Sequence, residues 1–133
     1  MLKLNRGSAL RTLVGVRFTL GAISWAAPAL LHRSMMINGR TENATAYPLR
    51  LFGARDAFSG AALVLTAGKQ RQRMVVLNVA ADLADVAASG LAGITGSVSR
   101  RGAALCTVAC LVGASLGAAA LGRGPLAEPE QPD

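Results

Sequence analysis

The feature that most constrains this chain is a set of ionisable side chains inside otherwise apolar stretches. Three of its seven acidic residues, Asp56, Asp82 and Asp85, lie in such stretches, and Arg17 and Arg55 occupy comparable positions. A charged side chain at the centre of a bilayer costs about 2.5–3.5 kcal/mol on insertion scales. Because charges of both signs are present, we expect them to pair with one another inside a helical assembly, away from lipid.

The composition favours a membrane protein with one domain. Apolar residues make up 52% of the 133 residues and charged residues only 16%, against about 25% in ordinary soluble domains. A soluble Ala-rich helical bundle is the alternative, but its helices would need polar outer faces, which these stretches lack.

Four stretches approach the ~20 apolar residues that cross a hydrocarbon core. They are residues 12–31, 49–68, 74–94 and 102–122. The connections between them are short, which predicts an all-α fold: an integral membrane, up-and-down four-helix bundle. Residues 12–122 then form the transmembrane domain, residues 1–11 a cytoplasmic N-terminal segment, and residues 123–133 a disordered cytoplasmic tail.

The basic residues predict how the bundle is oriented, because Lys and Arg accumulate on cytoplasmic flanks. An N-terminus inside the cell places seven of them in the cytoplasm and four outside. We therefore expect a multi-pass membrane protein with both termini in the cytoplasm. The net charge of +7 reflects this topology and attraction to anionic lipid. Nucleic-acid binding is not expected, since no compact basic domain accompanies the charges. The cytoplasmic set is Lys3, Arg6, Arg11, Lys69, Arg71, Arg73 and Arg123, and the outer set is Arg33, Arg40, Arg100 and Arg101.

Polar and small residues in three of the spans recur at helical spacing. An i, i+4, i+7, i+11 pattern places four side chains on one stripe of a helix, so each of these spans has a polar or small-residue seam. The seams are Arg17, Gly21, Ser24 and Pro28 in the first span, Asn78, Asp82, Asp85 and Ser89 in the third, and Cys106, Cys110, Gly113 and Gly117 in the fourth.

Depths along the helices, at ~1.5 Å per residue, predict the ion pairs Arg55 with Asp85 and Arg17 with Asp82. Asp56 points about 100° away from Arg55, so it either pairs with Arg50 at the outer end or lines the same cavity from another angle. Whether the network is functional or only fastens the helices stays open. The candidate polar-core and ligand-binding residues are Arg17, Arg55, Asp56, Asn78, Asp82 and Asp85.

Other chemistry is weakly represented. Cys106 and Cys110 share a helical face without the His or further Cys that a metal set needs, so no metal site is expected. His32 is the one histidine, which excludes a haem held by two histidines of this chain. No hydrolase signature appears, no cofactor is indicated, and the sequence leaves catalysis undecided.

Two neighbouring motifs resemble a known family. The run Leu51-Phe52-Gly53-Ala54-Arg55-Asp56, with Gly60 one turn later, precedes a basic turn and then Ala81-Asp82-Leu83-Ala84-Asp85. This pattern resembles small four-helix bacterial membrane proteins of the DoxX-like kind, over about residues 10–120. The aspartates here have two intervening residues rather than three. Many such proteins are domains of unknown function, and some are linked to redox or quinone-associated complexes. The resemblance implies that the membrane is a bacterial inner membrane. The Ala-, Gly- and Arg-rich character is typical of an actinobacterium.

These observations predict a small membrane protein with an internal Arg/Asp site. The leading hypothesis is a ligand-binding or accessory module that engages a small amphipathic ligand, a lipid headgroup or a partner membrane subunit, with self-association also open. The alternatives are a redox- or quinone-associated membrane enzyme subunit and a proton or ion path. The last of these is the weakest, because no continuous polar route reaches both surfaces.

Overall fold

The structure, a computed structural model, describes residues 6–35 and 42–122 and is all-helical over these residues, without a strand. The predicted N-terminal segment before residue 6, part of the first connection and the predicted tail lie outside the described residues. Five helices follow one another: α1 (Arg6–Ala26), α2 (Pro28–Met35), α3 (Glu42–Leu65), α4 (Gly68–Ile94) and α5 (Arg100–Leu121).

The first predicted span is broken. α1 ends at Ala26, α2 begins at Pro28, and the two helices are bent by 98°. Proline suits the first position of a helix and disfavours helical backbone in the residue before it, so Ala27 leaves the helix. The prediction of one continuous span over residues 12–31 is therefore wrong at Pro28.

The other helices are longer at their N-terminal ends than hydropathy indicates. α3 begins at Glu42 rather than at residue 49, and α4 begins at Gly68 rather than at residue 74. The basic residues 69–73, predicted to form a connection, are the first turns of α4. Lys, Arg and Gln are good helix formers, and no Gly or Pro interrupts them, so polarity alone does not end the helix.

The four long helices have a simple order of neighbours. α1 packs against α3 and α5, and α4 packs against α5 and α3. α1 and α4 therefore face each other across the middle of the assembly. The packing between α3 and α4 is less extensive than that of α4 with α5 or of α1 with α3. Short α2 packs against α3 and reaches α5, so it lies across the end at which α1 stops.

Glycines allow two of the helix pairs to approach closely. A Cβ atom on Gly53 of α3 would lie 2.8 Å from the carbonyl oxygen of Gly21 in α1, so these backbones pack directly on each other. On α5, a Cβ on Gly117 would lie 2.5 Å from Cγ2 of Val79 in α4. The seam predicted in the fourth span is thus a packing face, as small residues at helix interfaces usually are.

The apolar core is small and lies at one end of the assembly. Leu13, Leu63 and Val75 are its buried residues, and they come from the start of α1, the end of α3 and the start of α4. Many large apolar side chains are exposed instead, including Leu65 at 84% and Ile94 at 85%. An outer surface of this kind is expected of helices that face lipid rather than water.

Two of the described helices, α4 and α5, are each long and apolar enough to cross a membrane. The bent pair of α1 and α2 makes a third if it is counted as one span. α3 is not among them, and it carries Arg50, Arg55 and Asp56 along its length. Over residues 6–35 and 42–122 the protein is therefore all-helical, with two to three helices that can cross a membrane.

Candidate functional site

Arg17 of α1 is brought to the middle of the assembly by the buried seam of its helix. The guanidinium side chain is only 6% exposed. Opposite it, α3 carries Gly60, and a Cβ there would lie 3.2 Å from the Cβ of Arg17. The close crossing of α1 and α3 thus buries the arginine. The buried residues of this seam are Ala9, Leu13, Arg17, Gly21 and Ser24.

The Arg17 guanidinium joins two other helices. Its Nη1 donates to Oδ1 of Asp56 in α3 at 2.9 Å, and its Nη2 donates to both carboxylate oxygens of Asp82 in α4 at 2.7 Å. The two aspartate side chains are 0% and 3% exposed. The predicted pair of Arg17 with Asp82 is confirmed, and the fork geometry of arginine explains why one residue can serve both carboxylates.

A second pair lies beside the first and is more accessible. Arg55 donates from Nη2 to Oδ2 of Asp85 at 2.5 Å and from Nη1 to Oδ1 at 3.2 Å, which confirms the predicted pair. The Arg55 side chain is 40% exposed and that of Asp85 25%. The Phe52 ring lies one turn away, with its centroid 5.0 Å from Cζ of Arg55, within the range of a cation–π contact.

Asp56 connects the two pairs into one network. Its Oδ1 lies 3.7 Å from Nη2 of Arg55 in addition to its hydrogen bond with Arg17. The prediction that Asp56 pairs with Arg50 is wrong, because Arg50 instead donates from Nε to the Trp25 carbonyl oxygen at 3.4 Å. The other alternative, that Asp56 lines the same site from another angle, describes the structure. The network runs Asp85, Arg55, Asp56, Arg17, Asp82.

The remaining candidate, Asn78, is buried but stands apart from the ion pairs. Its Nδ2 donates to the Met74 carbonyl oxygen one turn earlier at 2.9 Å. Further along the α4 seam, Ser89 shares a hydrogen bond of 2.8 Å with Thr107 of α5, so the seam continues as a contact between helices.

Gly113 of α5 makes room for the Asp82 carboxylate. A Cβ at this position would lie 2.6 Å from Oδ2 of Asp82. The sequence placed Gly113 in a small-residue seam but did not connect it with the ionic site. Two features of the sequence could have predicted this contact: Gly113 and Asp82 belong to the seams of neighbouring spans, and each lies near the middle of its own span.

The interior is polar on one side of the network and apolar on the other. Toward the α2 end, Ser24 and Thr45 are buried, and Thr45 Oγ1 lies 2.7 Å from Nδ1 of His32, which ties α2 to α3. Toward the opposite end lies the apolar cluster around Leu13 and Leu63. Buried hydroxyl groups therefore lie between the network and the α2 end.

Four buried polar atoms around the network lack a hydrogen-bond partner among the described residues: Arg17 Nε, Ser24 Oγ, Asp56 Oδ2 and Asn78 Oδ1. Such groups are few in folded proteins because an unmade buried hydrogen bond costs about 1–3 kcal/mol. Sequence reasoning missed Ser24 as part of this surrounding, although its place on the Arg17 seam was visible. The surroundings of the ion pairs are therefore polar as well as buried.

Metal binding receives no support from the geometry. Within residues 6–35 and 42–122, no group of three or more His, Cys, Asp or Glu side chains could hold a metal ion. Cys106 and Cys110 form no disulfide within the described residues and are partly exposed on α5. The carboxylates of Asp82 and Asp85 are engaged by arginine, which leaves them poorly suited to a cation of higher charge.

The fold and site define an all-helical protein that has helices able to cross a membrane and an arginine–aspartate network at their centre. No protein-family model, curated protein or solved structure matches the chain. The resemblance to DoxX-like proteins and to an actinobacterial source therefore stays a prediction.

Proposed function

We propose that this chain is an integral protein of a bacterial inner membrane in which α1, α3, α4 and α5 form an up-and-down four-helix bundle. The 21 residues of α1 extend about 31 Å at 1.5 Å per residue, enough to cross a hydrocarbon core of about 30 Å. α3 is compatible with this arrangement because its most costly charge, Asp56, is 0% exposed and paired. The basic asymmetry places both termini in the cytoplasm.

The function supported best is the binding of a small amphipathic ligand at the Arg55–Asp85 pair, in an accessory module of the membrane. The observation that carries this proposal is the exposure of the pair, 40% and 25%, near the middle of α3 and α4. An ion pair that only fastened the helices would be better shielded, because exposed charge at hydrocarbon depth is costly.

The geometry also indicates the chemistry of the ligand. The pair presents a cation and an anion side by side, which complements a polar end that carries both a donor and an acceptor, such as a lipid headgroup. The less extensive packing between α3 and α4 leaves an approach from the side. The apolar part of the ligand would then lie along the exposed apolar surface of the helices.

Gentle extraction of the full chain into nanodiscs, followed by native mass spectrometry, tests this proposal. Wild-type protein should retain a lipid or small amphiphile. The Arg55→Leu/Asp85→Leu variant removes the pair of charges together. It should retain about tenfold less of the ligand, or less still, since a charge-assisted hydrogen bond contributes about 1.5–3 kcal/mol. Arg50→Leu, on the same helix but outside the network, is the control. Equal retention by all three proteins would refute the site, and a retained quinone or flavin would favour the redox-associated alternative.

A further inference from the structure

The ionic network holds an unequal number of charges. It contains two arginines and three aspartates, so one carboxyl group exceeds the guanidinium groups. Asp82 uses both of its oxygens to accept from Arg17, and Asp85 uses both to accept from Arg55. These two pairs are balanced, and Asp56 is the carboxyl group left over.

Asp56 is also the aspartate of the network that has one oxygen without a hydrogen bond. Its side chain is 0% exposed, its Oδ1 accepts from Arg17, and its Oδ2 is buried without a hydrogen-bond partner in residues 6–35 and 42–122. Burying an uncompensated carboxylate costs several kcal/mol. A proton on Oδ2 removes the excess charge and turns that oxygen into a donor, while Oδ1 keeps its bond with Arg17.

We propose that Asp56 is a proton-binding site, which takes one proton onto Oδ2 from a hydronium ion of the solvent, whose O–H bond breaks to leave water, and so makes the five-residue network electrically neutral. The bond formed is the O–H bond of the carboxylic acid. This inference concerns the buried side of the network and does not depend on the ligand proposed for the Arg55–Asp85 pair.

A second buried group supports this site independently of the aspartates. Ser24 is 0% exposed, and its Oγ has no hydrogen-bond partner in the part of the chain that the structure describes. It lies on the α1 seam against Gly53 of α3, one turn before Asp56, with its Cβ 2.8 Å from where a Gly53 Cβ would be. A hydroxyl can both accept and donate, and because neither Ser24 Oγ nor Asp56 Oδ2 has a partner in the described residues, a proton relay between them would run through a bridging water.

Polarity along the assembly indicates the side from which the proton exchanges. Ser24 and Thr45 are buried toward the α2 end, whereas Leu13, Leu63 and Val75 close the other end. Exchange from the α2 side therefore meets hydroxyl groups, whereas exchange from the opposite side has to pass the apolar cluster before it reaches the buried amide of Asn78.

The charges around Asp56 come from α1, α3 and α4, whereas α5 contributes only thiols. Both guanidinium groups lie beside the Asp56 carboxyl group, but each already balances the charge of an aspartate of α4. The titratable and charged groups concerned are Arg17 on α1, Arg55 on α3, Asp82 and Asp85 on α4, and Cys106 and Cys110 on α5.

Infrared spectroscopy of the purified full chain in detergent at neutral pH tests the site. Exposed carboxyl groups are ionised at this pH, so a carbonyl band of an un-ionised carboxylic acid reports a buried, protonated group. The wild-type protein should show one such band, which shifts in heavy water. Asp56→Asn, isosteric with the neutral acid, should fold and lose the band completely.

The Arg55→Leu/Asp85→Leu variant is the matched control, because it removes one balanced pair and leaves the excess carboxyl group in place. It should keep the band although it loses the ligand proposed above, so the two proposals can fail separately. If the wild-type protein shows no such band, the inference is overturned, and no variant needs to be measured. Persistence of the band in Asp56→Asn would overturn it as well, by assigning the proton to another aspartate.

Discussion

Replacing Arg17 with leucine should be the most damaging single change in the network. The substitution leaves Asp82, whose side chain is 3% exposed, without its guanidinium partner, and Asp56, which is 0% exposed, with only the more distant Arg55. It removes three hydrogen bonds of 2.7–2.9 Å and a side chain that ties α1 to both α3 and α4. Leucine fills much of the same volume, so the effect should come from lost charge pairing rather than from a cavity.

The magnitude follows from burial. Breaking a buried ion pair by removing one partner costs about 3–5 kcal/mol, and the Asp56 carboxyl group also loses a hydrogen bond from the guanidinium, so we expect a value near ~5 kcal/mol. This is between three and four orders of magnitude in the equilibrium constant of unfolding, at about 1.4 kcal/mol per factor of ten. Arg55→Leu should cost less, roughly 1–3 kcal/mol, because its side chain is 40% exposed and solvent screens the charge.

Unfolding in mixed detergent with increasing SDS, followed by circular dichroism, measures these differences. Arg11→Leu is the control, since Arg11 is exposed on the same helix and should change the free energy of unfolding by less than about 0.5 kcal/mol. Adding Asp82→Leu to Arg17→Leu should recover part of the loss, because one unpaired carboxylate is removed. The reasoning is refuted if Arg17→Leu is no worse than Arg55→Leu, or if its loss matches that of Arg11→Leu.

Two further predictions concern helix packing and topology. Gly53→Ala should destabilise the protein by about 1–3 kcal/mol, since its Cβ would lie 2.8 Å from the Gly21 carbonyl oxygen. The control Gly15→Ala should be neutral or slightly stabilising, because a Cβ at Gly15 meets nothing within 4 Å. Equal unfolding midpoints of the two variants would contradict the close crossing of α1 and α3. The topology can be tested in intact cells with single-cysteine variants made in a protein without its native cysteines. An impermeant thiol reagent should label Ser97→Cys, after the end of α4, but not Gln70→Cys, at the start of α4. The reverse pattern would place both termini outside the cell.

The ion pairs were predictable because helical spacing and depth are local properties. Asp82 and Asp85 lie within one turn of each other on a stripe that starts at Asn78, and their depths match those of Arg17 and Arg55. The partner of Asp56 could not be chosen in the same way. Its direction relative to Arg55 was known, but whether it faced α1 depended on how α1 and α3 cross.

The ends of the helices were less predictable than their existence. Hydropathy marks where a membrane would begin, but a helix continues as long as its residues favour helical backbone, as residues 69–73 do. Pro28 gave a local signal for a break that the hydropathy of residues 12–31 concealed. The direction of α2 after this break is set by its packing on α3 and by the hydrogen bond of His32 with Thr45.

The amino-acid sequence by itself determined that the chain is helical and largely apolar and that its internal charges must find partners, because helix propensity, hydropathy and the cost of lone charge act on each segment separately. Only the tertiary structure decided that Arg17 serves two aspartates and that Asp56 keeps an oxygen without a partner. Both outcomes depend on the contact of Gly21 with Gly53, which brings the backbones of α1 and α3 together near the level of Asp56. Such a crossing is a property of two distant segments at once, and no pattern within either segment specifies it.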